Sequence, residues 1–274
     1  MRITKPARDT VLTIAATPAW PSLVFETDAS GPHVWRWTVG WRHFRKSGRA
    51  TTDGPVWDAA DAIQDRGGLV YVRATAGARQ ASAAVRLIGS NPGEGQVKAY
   101  LDDKDSGDVL LKIVGQESRF RQFRPRGEPV RSFDDGYGLC QITTPKPSFA
   151  EVFNWQRNLD AGVRLYAVKR AKAIELLSRE KRSYTADQLL HETVSLWNGG
   201  TYHAWDAKAG AWARRTDVMC DTDTGNIGWN MKKTDNAGKS EDDLHDRDSG
   251  GYNAHTKDSL WGYFGVCYAD HVLG

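Results

Sequence analysis

The chain has 274 residues, 40% of them hydrophobic and 26% charged, and its 37 Lys and Arg against 34 Asp and Glu give a formal net charge of +3. That composition belongs to a globular protein with room for one large domain or two ordinary ones. No apolar run approaches the ~18 residues of a membrane span. The mild positive charge is too weak to argue for nucleic acid and suits an anionic polymer.

The first ninety or so residues read as β. Val11-Leu12-Thr13-Ile14-Ala15, Ser22-Leu23-Val24-Phe25-Glu26, Val34-Trp35-Arg36-Trp37-Thr38-Val39, Leu69-Val70-Tyr71-Val72-Arg73 and Ala83-Ala84-Val85-Arg86-Leu87 are short and rich in β-branched or aromatic residues. Several of them alternate apolar with polar, the period of a half-buried strand. Turn residues such as Pro18, Pro21, Gly31-Pro32, Asp53-Gly54-Pro55 and Gly67-Gly68 separate them. Short strands at this spacing predict a small sandwich over 1–89, which resembles bacterial immunoglobulin-like modules in architecture, with no cysteine pair to support the likeness. Ser90-Asn91-Pro92-Gly93-Glu94-Gly95 reads as a linker, and 96–274 as a second, mainly helical domain.

Beyond that linker the period becomes helical. Asp105 or Ser106 can cap a helix through Val109-Leu110-Leu111-Lys112-Ile113-Val114 that ends near Glu117. The strongest helix covers roughly 154–182, with Leu159, Val163, Tyr166, Ile174 and Leu177 on one face. Thr185 caps a further helix through Leu189, Val194 and Trp197, which stops at Asn198-Gly199-Gly200. From 201 to 248 the chain is polar and glycine-studded, and reads as long surface loops. Apolar residues return at Leu260-Trp261-Gly262-Tyr263-Phe264-Gly265-Val266 as a last docking element.

Three cysteines cannot all pair: either Cys220 and Cys267 form a bridge with Cys140 free, or all three are reduced. Eleven tryptophans is a high count for this length. Aromatic excess suits carbohydrate contact, although for any single tryptophan a core position is the commoner fate. The N-terminal Met1-Arg2-Ile3-Thr4-Lys5-Pro6 lacks the apolar stretch of a secretory signal.

Chemistry concentrates in two neighbouring segments. Gly115-Gln116-Glu117-Ser118-Arg119-Phe120 places a glutamate at the end of an apolar helix. Desolvation disfavours a carboxylate there, which raises its pKa toward the value a general acid needs near neutral pH. Gly136-Tyr137-Gly138-Leu139-Cys140-Gln141-Ile142-Thr143 follows as a glycine-punctuated loop with an aromatic, an amide and a hydroxyl.

Together with Asn158-Leu159-Asp160-Ala161-Gly162-Val163 and Trp197-Asn198-Gly199-Gly200 plus Tyr202, these segments resemble the lytic transglycosylase family with the goose-type lysozyme-like fold. The likeness runs from about 109 to 202, roughly a third of the chain, with four pieces in the family's order: Glu-Ser-x-Phe, Gly-x-Gly-Leu-Met-Gln-Ile, Asn-Ile-x-x-Gly and Tyr-Asn-Ala-Gly. Two residues depart from it: Cys140 stands for the usual methionine and Trp197 for the usual tyrosine. The resemblance implies cleavage of the bond between N-acetylmuramic acid and N-acetylglucosamine in peptidoglycan, with Glu117 as acid and then base. The muramic acid's C6 hydroxyl would be the nucleophile, giving a 1,6-anhydro end. Ser118, Tyr137, Gln141, Asn198 and Tyr202 are the implied substrate-contacting or supporting residues. Each also has a structural alternative: helix termination for Ser118, loop satisfaction for Gln141 and Asn198, and core packing for Tyr137 and Tyr202.

A hydrolytic muramidase would need a second carboxylate roughly 6.5–9.5 Å away to activate water, and Asp134 and Asp135 are the candidates. A chitinase on the same scaffold, or a silent wall-binding or assembly module, are the other readings. No cofactor or metal is expected. His191-Glu192 begins like a zinc-protease helix, but Ser195 stands where the second histidine belongs. Asp221-Thr222-Asp223-Thr224-Gly225-Asn226 resembles a calcium loop, yet Lys232 occupies the final ligand position. The expected partner is the peptidoglycan glycan strand, with an immunity protein or a secretion component besides. With no signal peptide read in the sequence, action in the periplasm or cell wall implies a type VI-like export route, as for an antibacterial effector, or a phage origin.

Overall fold

The computed structural model describes residues 1–274. It divides into two compact units, Met1–Gly162 and Val163–Gly274.

The first unit begins with eight strands and one short helix: β1 (Ile3–Lys5), β2 (Val11–Ile14), β3 (Val24–Thr27), β4 (His33–Trp41), β5 (Phe44–Thr52), β6 (Val56–Asp58), α1 (Ala60–Ile63), β7 (Gly68–Ala76) and β8 (Arg79–Gly89). They form two sheets, one of order β2-β8-β7-β4-β5 and one of order β1-β3-β6. All pairs are antiparallel except β2 with β8. Alternation fixes the register: Val70, Val72 and Ala74 on β7 are buried, while Leu69, Tyr71 and Arg73 between them are exposed. A one-residue slip would turn that whole apolar set to water. The inward residues of both sheets enter one core, in which Phe25 of β3 and Trp57 of β6 meet Trp35 and Val39 of β4. The Phe25–Trp57 and Trp35–Trp57 ring centroids lie 5.8 and 5.9 Å apart, the spacing of favourable aromatic pairs.

The stretch 90–95, read as a linker from its Pro and Gly content, lies inside this unit, and its last two residues open a helix. The Asn91 side chain holds Phe123 on both sides: Nδ2 donates to the Phe123 carbonyl at 2.9 Å, and the Phe123 N–H donates to Oδ1 at 2.7 Å. Phe123 then joins Ile14, Phe44, Tyr137 and Phe153 in a second cluster. The strands and the first helices are therefore bound by shared side chains, and the 90–95 composition reflects a tethered turn.

Helices follow: α2 (Glu94–Leu101), α3 (Gly107–Ser118), α4 (Phe149–Phe153) and α5 (Trp155–Leu177). In α3 the buried Leu110, Ile113 and Val114 recur at helical spacing. Ser148 caps α4 and its partner Glu151 bonds back, a capping box that sets the start of the helix.

In the second unit the later turns of α5 lead to α6 (Ala186–Trp197), capped as expected by Thr185 with Gln188 in return. The polar stretch 201–248, expected as loops, instead holds β9 (His203–Asp206), β10 (Ala211–Arg214), β11 (Val218–Cys220), β12 (Ile227–Asn230) and α7 (Glu241–Asp248). Its few large residues explain this. Trp205 and Trp212 face each other across the β9–β10 hairpin at 5.4 Å with the Arg182 guanidinium over both. Trp229 and Leu244 are fully buried, and Ser240 caps α7. The chain ends with β13 (Trp261–Tyr263) and α8 (Gly265–Leu273). β12 lies between β11 and β13, and α8 packs on α6. Cys220 and Cys267 form a disulfide, and Cys140 is free and buried. No helix is long and apolar enough to cross a membrane.

Trp35 is at 0% exposure with its Nε1 donating to Thr52 Oγ1 at 2.9 Å. Trp35→Ala is expected to lower the unfolding free energy of the β sheets by about 3–5 kcal/mol, read from denaturant unfolding of variant and parent.

Candidate active site

Glu117 sits on the last turn of α3, half-buried, directly above the apolar face formed by Leu110, Ile113 and Val114. The helix stops because Arg119 turns left-handed at φ 51°, and Phe120 follows at φ 59°. Two successive non-glycine residues in that region cost roughly 1–2 kcal/mol apiece. Such outliers recur where a local geometry is held for function. Phe120 turns back so that its ring lies over Gly115, 3.7 Å from where a Cβ would stand.

The loop 136–143 is fixed by two side-chain amides, Gln122 and Asn158, both at 0% exposure. Gln122 Oε1 accepts from the Leu139 N–H at 3.0 Å, while its Nε2 donates to the Val152 carbonyl at 2.8 Å. Asn158, in the first turn of α5, accepts from the Cys140 N–H at 2.9 Å and donates to the Tyr137 carbonyl at 3.0 Å. Buried amide groups of this kind are strongly disfavoured unless paired, so each pair is mutually obligatory. Gly138 is at φ +72°, and a Cβ there would meet Asn158 Nδ2 and Gln122 Oε1 at 2.6 Å. Both clamps close only over a glycine.

The clamp brings the loop against the α3 terminus. Burial pushes the Cys140 thiol well above its ordinary range, and the negative charge of Glu117 raises it further. Gly162 makes room for that sulfur: a Cβ on Gly162 would stand 2.6 Å from Cys140 Sγ. Glu117, Gly138, Cys140, Asn158 and Gly162, spread over some 45 residues of chain, thus form one locale.

The other predicted residues take more specific places. Ser118 Oγ donates to the Val114 carbonyl at 3.2 Å, which is helix termination. Tyr137 is at 0% exposure, packed edge-on against Phe44 at 5.5 Å and Trp41 at 6.1 Å. It offers no face for stacking on a sugar, because the loop that would present it closes over an aromatic core. Gln141 is left-handed at φ 46°, and its Nε2 donates to the Gly138 carbonyl at 2.6 Å. Asp135 accepts from the Arg131 guanidinium and from the Tyr137 hydroxyl, and the Arg131 hydrogen bond holds its carboxyl below the usual range. Asp134 accepts from Ser132 Oγ at 2.5 Å. Both aspartates are therefore engaged inside their own turn.

In the second unit, Tyr202 Oη donates to Asp270 at 2.6 Å, and Arg214 donates to the same carboxylate. Burial and the Asp270 partner push the Tyr202 hydroxyl up, so it stays protonated. Asn198 caps the end of α6, and its Nδ2 is buried with no protein partner. Glu192, buried to 1% exposure, accepts from the Tyr202 and His203 N–H groups at 3.1 and 2.9 Å and from His203 Nδ1 at 2.9 Å. A group with metal-ligand spacing also lies here: Asp221, Asp223 and His245 bring ligand atoms within 4.8 Å of one another. Asp221 already accepts from His245 Nδ1 and the Tyr252 hydroxyl through one oxygen and from the Asp223 N–H through the other.

Sequence reasoning missed two of these residues. Gln122 lies in the polar run Arg121-Gln122-Phe123-Arg124, where nothing marks it as buried. Glu192 drew notice only as part of a failed zinc motif, whereas its work is to satisfy backbone at the turn after α6.

Asn158→Ala strands the Cys140 N–H in a buried site and takes one of two donors from the Tyr137 carbonyl, leaving it the Ile142 N–H at 3.2 Å. The expected result is a loss of about 1–3 kcal/mol in denaturant unfolding. Cys140 is buried, so it is expected to stay unmodified by a thiol reagent in the parent and to become modified in the variant, as read by mass spectrometry.

The chain matches no known family model, and no curated protein is significantly similar to it.

Proposed function

We propose that this chain cleaves the glycan strands of peptidoglycan as a lytic transglycosylase, with Glu117 as acid and base. The observation that carries this reading is the meeting of three separate sequence pieces at one place. Asn158 of the third piece holds the loop of the second, and that loop carries Cys140 within the electrostatic reach of Glu117 in the first. A random match of short motifs gives no reason for such a convergence.

The chemistry follows from one carboxyl group beside an apolar wall. Protonated Glu117 donates its proton to the oxygen linking C1 of N-acetylmuramic acid to the next sugar. The C1–O bond breaks, and positive charge develops at C1. The leaving N-acetylglucosamine carries the donated proton away as its C4 hydroxyl. The Glu117 carboxylate then takes the proton of the muramic acid's own C6 hydroxyl as that oxygen attacks C1. A 1,6-anhydro bond forms, Glu117 is again protonated, and no water is consumed. One residue changing from acid to base suffices, as proton transfer by a positioned carboxyl requires. An inverting hydrolysis would instead require Asp134 or Asp135 to stand roughly 6.5–9.5 Å from Glu117 and activate a water. The reading places the substrate in the bacterial periplasm or cell wall. The type VI-like effector role, with an immunity protein, is part of the same proposal.

Glu117→Gln keeps the shape of the side chain and removes its proton chemistry. The rate at which the protein clears a peptidoglycan suspension is expected to fall by roughly 10²–10⁴-fold. Equal clearing by the parent and the variant contradicts the assignment.

A further inference from the structure

The five strands β2, β8, β7, β4 and β5 contain no Asp or Glu, although the chain has 34 of them. Their outward face instead carries arginines in cross-strand register. Arg36 on β4 stands directly opposite Arg49 on β5 and directly opposite Arg73 on β7. All three are exposed. Neighbouring strands lie about 4.8 Å apart, and like charges directly opposite each other destabilise a sheet. Two rows further along the same face are Arg45 and, past Leu69, Arg86. Of these, Arg86 alone approaches a carboxylate, that of Glu128 at 3.9 Å.

Between the two rows the surface is neutral and partly apolar. Tyr71 is 41% exposed and Leu69 48%. Two adjoining hollows of about 490 and 590 Å³ share Thr38 and Tyr71, the first lined by the Arg36–Arg49–Arg73 row and the second by Arg45 and Leu69. An exposed ring flanked by guanidinium groups has apolar area for the C–H face of a sugar and forked donors for oxyanions.

We infer that this face of the sheet binds carboxylate-bearing glycan of the bacterial wall, holding the strand through Arg36, Arg49 and Arg73 with Tyr71 as its platform. The choice of occupant rests on the peptidoglycan reading above and on charge. The guanidinium row matches the stem-peptide carboxylates that recur along the wall glycan.

The test is co-sedimentation of the intact protein with purified sacculi, run in parallel with the Glu117→Gln protein so that binding is read without cleavage. The expected result is retention that collapses at roughly 1 M salt, where screening reduces the Debye length to about 3 Å. Replacing Arg36, Arg49 and Arg73 with Gln is expected to weaken binding on the order of tenfold or more, through loss of three charge-assisted contacts. Single Arg36→Gln, which relieves like-charge crowding, is expected to weaken binding while thermal stability holds or rises. Retention that is insensitive to salt, or equal in the triple variant and the parent, overturns the inference. So does tighter, equally arginine-dependent retention on duplex DNA. Loss of clearing without loss of sedimentation would instead bear on the Glu117 chemistry alone.

Discussion

Two buried amides, Gln122 and Asn158, hold together everything proposed for the first unit's chemistry. A polar side chain at 0% exposure must find partners or forfeit a desolvation penalty of a few kcal/mol. Here the partners are backbone groups of one short loop and of the α4 end, so the loop cannot move without orphaning the two amide oxygens. That requirement explains Gly138, where no side chain fits, and Gly162, which leaves space for the Cys140 sulfur. It also accounts for Tyr137, whose burial beneath the loop gives the clamp a packed floor.

The β sheets show the opposite strategy on their two faces. Inward, Trp35, Trp57, Phe25 and the valines of β7 supply a large apolar core that fixes register. Outward, the same register forces Arg49, Arg36 and Arg73 into a row that weakens the sheet. A scaffold with that much buried aromatic area tolerates an unfavourable surface.

Much of this was legible in the sequence, for identifiable reasons. β2, β3, β4, β7 and β8 are readable because they are rich in β-branched or aromatic residues and several of them alternate apolar with polar. β5 was not, since Phe44-Arg45-Lys46-Ser47-Gly48-Arg49-Ala50-Thr51-Thr52 has almost no apolar pattern of its own. It is a strand because β4 offers a full ladder of backbone partners. The strands within 201–248 were hidden for a similar reason: each is short and rests on one tryptophan or one cap. Thr185 and the Asn198-Gly199-Gly200 stop were visible because capping is a local property. At the candidate site, Glu117, the loop glycines and Asn158 carried a pattern, while Gln122 did not, because its role depends on contacts with residues some thirty positions away. Proline and glycine mark a turn, and whether a turn separates domains depends on long-range bonds such as Asn91 to Phe123.

The central claim is that one carboxyl group performs both proton transfers, with the substrate's own C6 hydroxyl as nucleophile. Mass spectrometry of the soluble products from peptidoglycan digested by the unaltered protein tests it most directly. The account predicts muramic acid ends lighter by one water than a reducing end, the mark of the 1,6-anhydro bond. Products with ordinary reducing muramic acid ends and no anhydro species would contradict it.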